Sequence, residues 1–88
     1  MSGLLAYGRM AEQHWRAHRP RMVRELEALG SLQTALVEAQ ERTAAEMDRL
    51  IRQFRKQGLD PQQAHDQAWD LVREKYILLP PETPPPEA

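Results

Sequence analysis

The chain has 88 residues, enough for one compact unit against the roughly 150 residues of a typical domain. Valine, isoleucine and threonine supply 8 of them, and cysteine and asparagine none, which argues against most sheets, disulfide scaffolds, thiol catalysis and cysteine-ligated zinc. Net charge is −1 but uneven, +2 over residues 1–30, 0 over 31–60 and −3 over 61–88, so the chain is polarised rather than basic or acidic as a whole.

Alanine, leucine, glutamate, glutamine and arginine dominate the remainder, the residues that lose least on entering a helix. An all-α protein follows: a small antiparallel bundle with one long central helix. The first segment, about residues 3–18, places Leu4, Ala11, Trp15 and His18 on one face, with Glu12 four residues before Arg16 on another. Pro20 disfavours helix at Arg19 and suits a first helical position, so the chain bends there. A short second helix then runs to about Leu29, with Met22, Val23, Leu26 and Leu29 inward, and Gly30 closes it.

Ser31 is placed to cap a third helix with no breaker from Leu32 to Gln57. Leu32, Leu36, Ala39, Thr43, Met47, Leu50, Ile51 and Phe54 form its apolar stripe, with Glu38–Arg42 and Asp48–Arg52 opposite. At 1.5 Å per residue this spine is roughly 39 Å long. Gly58 ends it. Leu59-Asp60-Pro61-Gln62-Gln63 then starts the fourth helix, with Asp60 as N-cap, Gln63 reaching back, and Leu59 and Ala64 as the flanking apolar pair. Ala64, Ala68, Trp69, Val72 and Tyr76 point inward from it. Residues 1–79 are expected to form the single helical domain and 80–88 a disordered proline-rich tail, since five of those nine residues are proline.

Several constellations carry chemistry. His14 and His18 sit one turn apart, the spacing of a helical metal-ligand pair, but two imidazoles are half a site, and His65 with Asp66 would complete it only if the fourth helix packs beside the first. No metal or other cofactor is expected. Arg19 follows Trp15 at i,i+4, the spacing for a guanidinium to stack on the indole. Arg9, Arg16, Arg19, Arg21 and Arg24, interleaved with Trp15, could contact phosphates. The same arginines read equally as a solvated face, so nucleic acid is the alternative rather than the favoured partner. A helix-turn-helix across Gly58 would present Asp66 and Asp70 to a phosphate backbone, so a plain helical hairpin is the better reading. No glycine-rich phosphate loop, nucleophile elbow or HExxH occurs, and the glutamates have arginine neighbours, so no enzyme is expected.

Tyr76-Ile77-Leu78-Leu79 leaves the last helix with four consecutive large apolar residues. It either folds back to close the core, the favoured reading, or docks on a partner. Pro81-Glu82-Thr83-Pro84 matches a PxxP pattern common in proline-rich tails. Tyr7-Gly8-Arg9-Met10 with His14-Trp15, and the closing Arg73–Pro81 stretch, look like segments of short bacterial proteins, a likeness that assigns no role to any residue.

A chain this short buries only about 60% of its unfolded surface. The expectation is therefore a non-enzymatic interaction or regulatory module, a homo-oligomer or the partner of another protein. Its contact residues would be Leu36, Met47, Leu50 and Phe54 on the spine, with Ile77, Leu78 and Leu79 beyond the last helix. No stretch is apolar enough for a membrane span, and residues 1–7 lack the basic lead of a signal peptide, so a cytoplasmic protein is expected.

Overall fold

The computed structural model describes residues 4–82 and holds four helices: α1 (Ala6–His18), α2 (Pro20–Ala28), α3 (Leu32–Lys56) and α4 (Pro61–Tyr76). No strand occurs among the described residues. The breaks fall where the local chemistry puts them. Arg19, held out of the helical region by the proline that follows, has φ −132° and ψ 52°. Gly30 and Gly58 adopt φ of 67° and 103°, which a side chain would resist, and each ends the helix before it. Asp60 forms the expected capping box: its Oδ1 accepts from the Gln63 amide at 2.9 Å, while Gln63 Oε1 accepts from the Asp60 amide at 3.2 Å.

Two local expectations fail. Ser31 does not cap α3; its hydroxyl faces back to the Leu29 carbonyl at 3.4 Å. Leu29 and His18 do not point inward. Leu29, the residue after α2, is 76% exposed, and His18, the last residue of α1, is also on the surface.

α3 is the common wall. Leu36 and Ala39 meet Leu4, Ala11, Trp15, Val23 and Ile77 in one apolar cluster, and Met47 and Leu50 meet Ala68 and Val72 in a second. Tyr7, Trp69 and Tyr76 touch both. Tyr7 of α1 stacks on Trp69 of α4 with centroids 5.6 Å apart and planes 16° apart. An offset ring pair of this kind adds about 0.5–1.5 kcal/mol beyond its buried area. α1 and α4 otherwise share little direct packing, each lying chiefly on α3. Glu46 of α3 ties α4 in place, accepting from Tyr76 Oη at 3.0 Å and Lys75 Nζ at 3.2 Å. Arg52 pairs with Asp48 at 2.7 Å, whereas Glu38 and Arg42 stay exposed and form no ion pair among the described residues.

This packing corrects the view of the spine as leftover surface. Leu36, Met47 and Leu50 are 1%, 3% and 9% exposed, so folding of the chain itself consumes most of the stripe. Ile77 is 0% exposed and closes the upper cluster, as the favoured reading of the helix exit has it. Phe54, Leu78 and Leu79 are half-buried.

α1 has an unusual start. Its N-cap position is Leu5, which has no side-chain acceptor. The missing acceptor comes from α3: Gln40 Oε1 takes the Leu5 amide and, at 3.2 Å, the Gly8 amide. The Gly8 amide is the group a local N-cap serine or aspartate would serve, and the Leu5 amide the one a Glu or Gln at the third helical position would reach in a capping box. A Cβ at Gly8 would stand 2.6 Å from Gln40 Oε1 and 2.7 Å from Leu4 Cδ2, so a bare backbone there admits the distant cap.

Two stability outcomes follow. Gln40→Leu keeps the volume but removes the acceptor and should cost about 1–2 kcal/mol in urea unfolding, the range for a lost N-cap. Thr43 lies on α3 between residues of the two clusters, 0% exposed, with its hydroxyl unmatched by any hydrogen-bond partner. Thr43→Val should therefore stabilise the chain by about 1 kcal/mol in the same assay.

Candidate functional site

The residues with the richest polar chemistry converge where the chain beyond α4 crosses the α1–α2 elbow. Trp15 Nε1 donates to the Ile77 carbonyl at 3.1 Å, and His14 Nε2 lies 2.8 Å from the Leu79 carbonyl. Arg19 donates from Nη1 to the Pro80 carbonyl at 2.9 Å, and the Glu82 amide donates to the His18 carbonyl at 3.1 Å. Indole, imidazole and guanidinium thus each take one main-chain oxygen of the stretch from Ile77 to Pro80. The prolines suit that role, since they hold the backbone open and require no donor partner of their own.

Glu82 completes the crossing. α2 begins with Pro20, which has no N–H, so its first turn presents the amides of Arg21 and Met22. Glu82 accepts both, Oε1 from Arg21 at 3.0 Å and Oε2 from Met22 at 2.6 Å. One carboxylate thereby satisfies those two amides and sits at the positive end of the helix dipole. Burial works to raise the Glu82 carboxyl, but the two amides and the nearby Arg19 and Arg21 guanidiniums outweigh it and hold it below the ordinary carboxylate range. Pro80 and Glu82, just past the expected boundary between 79 and 80, are bonded to the elbow. Residues 83–88, the rest of the expected tail, lie outside the described residues, as do residues 1–3.

Beside this crossing are two adjoining shallow depressions. One, of about 340 Å³, is lined by Met10, Gln13, His14, Ala17, His18 and Leu78. The other, of about 450 Å³, is lined by His14, Glu74, Leu78, Leu79, Pro80 and Pro81. They share His14 and Leu78 and form one mainly apolar trough along the seam. Met10 at its edge is 41% exposed.

The metal set that His14 and His18 would form only with His65 and Asp66 does not come together. The His14 and His18 rings do meet, with centroids 4.4 Å apart, but His65 lies at the opposite end of α4, about 18 Å of helix from Ile77, where it neighbours Asp66 at 3.3 Å. Among the described residues no three His, Asp or Glu side chains converge as ligands.

The arginines scatter similarly. Arg16 is held by Glu12 at 2.9 Å and Glu27 at 3.8 Å, and Arg19 points to Pro80 rather than stacking on Trp15. Arg9, Arg21 and Arg24 remain exposed, the first on α1 and the others on α2. No helix among the described residues is long and apolar enough to cross a membrane.

Sequence reasoning missed Gln40 and Glu82 as caps. The signals were indirect: two helices starting without a local cap residue, a glycine inside α1, and an acid just past the proline pair. No protein-family model, curated protein or solved structure matches this chain.

The depressed Glu82 carboxyl has a definite sign in a titration. A carboxyl held low in the folded state contributes stability that is full above its unfolded pKa and lost as pH falls through its folded one. Acidification below the ordinary carboxylate range should therefore loosen the crossing, shifting the Arg21 and Met22 backbone amide resonances in an NMR titration. Glu82→Gln should abolish that pH-dependent shift.

Proposed function

We propose that this chain is a non-catalytic protein-interaction module that pairs with a second copy of itself along the seam between α1–α2 and the segment beyond α4. The observation that carries this reading is the trough: Met10, Ala17, Leu78 and Leu79 lie along it beside polar groups of the His14 and Glu74 type, the mixture of apolar centre and polar rim that weak interfaces use. The surface predicted from the spine is set aside, since Leu36, Met47 and Leu50 are core. Leu78 and Leu79 keep their place as contact residues, and Phe54 stays half-buried beside the second cluster. No group in the seam is arranged as a nucleophile with its base. His14 is engaged with a carbonyl oxygen, and Glu82 with two amides.

The nucleic-acid alternative would rest on Arg9, Arg21 and Arg24. It has less support, because the α1 arginine nearest α2, Arg16, is already neutralised by two glutamates and phosphate binding needs cations that act together.

Sedimentation equilibrium tests the self-pairing. The chain should show reversible dimer formation as its concentration approaches the order of 1 mM, the regime expected for a weak interface. Met10→Asp, at an exposed position, should weaken the pairing about tenfold by disrupting the apolar centre while leaving thermal unfolding unchanged. A strict monomer over the whole range overturns the reading, and undiminished pairing of Met10→Asp overturns the placement in the trough.

A further inference from the structure

The seam has a second property, which rests on the self-pairing reading and names the segment that carries it. Beyond the buried Ile77, the polar contacts that the five residues Leu78–Glu82 make outside α4 among the described residues all go to one receptor, the α1–α2 elbow. These are His14 to the Leu79 carbonyl, Arg19 to the Pro80 carbonyl, the Glu82 amide to the His18 carbonyl, and the Arg21 and Met22 amides to the Glu82 carboxylate. Three of the five involve main-chain atoms of the segment, and the other two its carboxylate. α4 itself ends just before, where the Ile77 and Leu78 amides both turn back to the Arg73 carbonyl at 3.2 and 2.7 Å.

We propose that Leu78–Glu82 is an exchangeable strap, and that the elbow lined by His14, His18, Arg19, Arg21 and Met22 receives the strap of a second copy in place of its own. Several observations converge on this occupant. The strap is complementary to the elbow by construction, since it fills it already. Its negative carboxylate meets a positive helix end flanked by Arg19 and Arg21. The strap leaves from a single point, after a residue that stays in the core, while α1 and α4 share little direct packing. Lifting it breaks those five contacts and withdraws Leu78 and Leu79 from the edge of the first cluster, while the Trp15–Ile77 bond and the buried residues of both clusters stay in place. The closed arrangement is also imperfect: Leu78 and Leu79 stay half-buried beside the trough, and Arg19 Nε is buried without an acceptor among the described residues.

Exchange regenerates each contact in the partner, so the two forms differ chiefly in the entropy of association. A short tether holds the strap near its own elbow at an effective concentration of the order of millimolar. The closed monomer therefore prevails in dilute solution, and the exchanged dimer forms as the chain is concentrated.

The inference is tested by complementation between two full-length variants. Glu82→Ala breaks the strap and leaves the elbow intact; Arg19→Glu breaks the elbow by repelling Glu82 and leaves the strap intact. Neither chain has a working pair in cis, but their mixture has one working pair in trans and no competing closed form. A fluorescently labelled Glu82→Ala chain should bind the Arg19→Glu chain at least about tenfold more tightly than it binds itself, and at concentrations where the unaltered protein is still monomeric. Circular dichroism checks that both variants keep their helices. If either does not, Glu82→Gln and Arg19→Gln form the gentler pair, with the same ordering expected. A mixture no tighter than its components overturns strap exchange. If the unaltered chain still dimerises in that case, self-pairing through the trough stands without exchange; if it remains monomeric throughout, both fall.

Discussion

Helices α1 and α2 both begin at residues whose side chains cannot accept a hydrogen bond from their own first turn, and the fold is organised around where those acceptors come from. Backbone amides at a helix start are strong donors that need a partner when water is excluded. For α1 the partner is Gln40, on the middle of α3; for α2 it is Glu82, close to the end of the described chain. Each cap fixes a helix against an element far away in sequence. The same bonds that satisfy the termini therefore set the tertiary arrangement, with α1 laid along the first half of α3 and the elbow closed by the segment beyond α4.

This division of labour accounts for features that look like weaknesses locally. A glycine inside α1 lowers helix propensity by about 1 kcal/mol, yet a side chain at Gly8 would fill the space the Gln40 amide occupies. A proline pair stops α4 from extending, yet it straightens the backbone into a shape whose carbonyls His14 and Arg19 can reach. Four successive large apolar residues at a helix exit would be a liability if left in water. Here Ile77 enters the core, and Leu78 and Leu79 line the seam. The chain answers its shortage of core by using backbone groups at helix ends as points of attachment.

That economy bears on function. A segment held mainly through backbone carbonyls and one carboxylate is bound by geometry and charge rather than by a deep side-chain pocket. Such attachments are reversible and are served equally well by an identical segment from another copy. The trough beside the strap leaves apolar area at the same place. Under the proposed strap exchange, closure and pairing are two uses of one surface, balanced by concentration rather than by a change of fold.

How much of this was legible in the chain depends on the range of the interaction concerned. Helix spans, the bend before Pro20, the left-handed glycines at 30 and 58 and the Asp60–Gln63 box are set by neighbours within four residues, and these the amino-acid sequence determined unaided. The apolar stripe of α3 was legible as a stripe, but not whether Leu36, Met47 and Leu50 would be covered by the chain or by a partner, because periodicity identifies a face and not what lies against it. The caps from Gln40 and Glu82, the Tyr7–Trp69 stack, the unmatched Thr43 hydroxyl and the separation of His14 from His65 were decided only by tertiary structure. Each depends on where two distant elements meet, and only the packing of whole helices against α3 sets that distance.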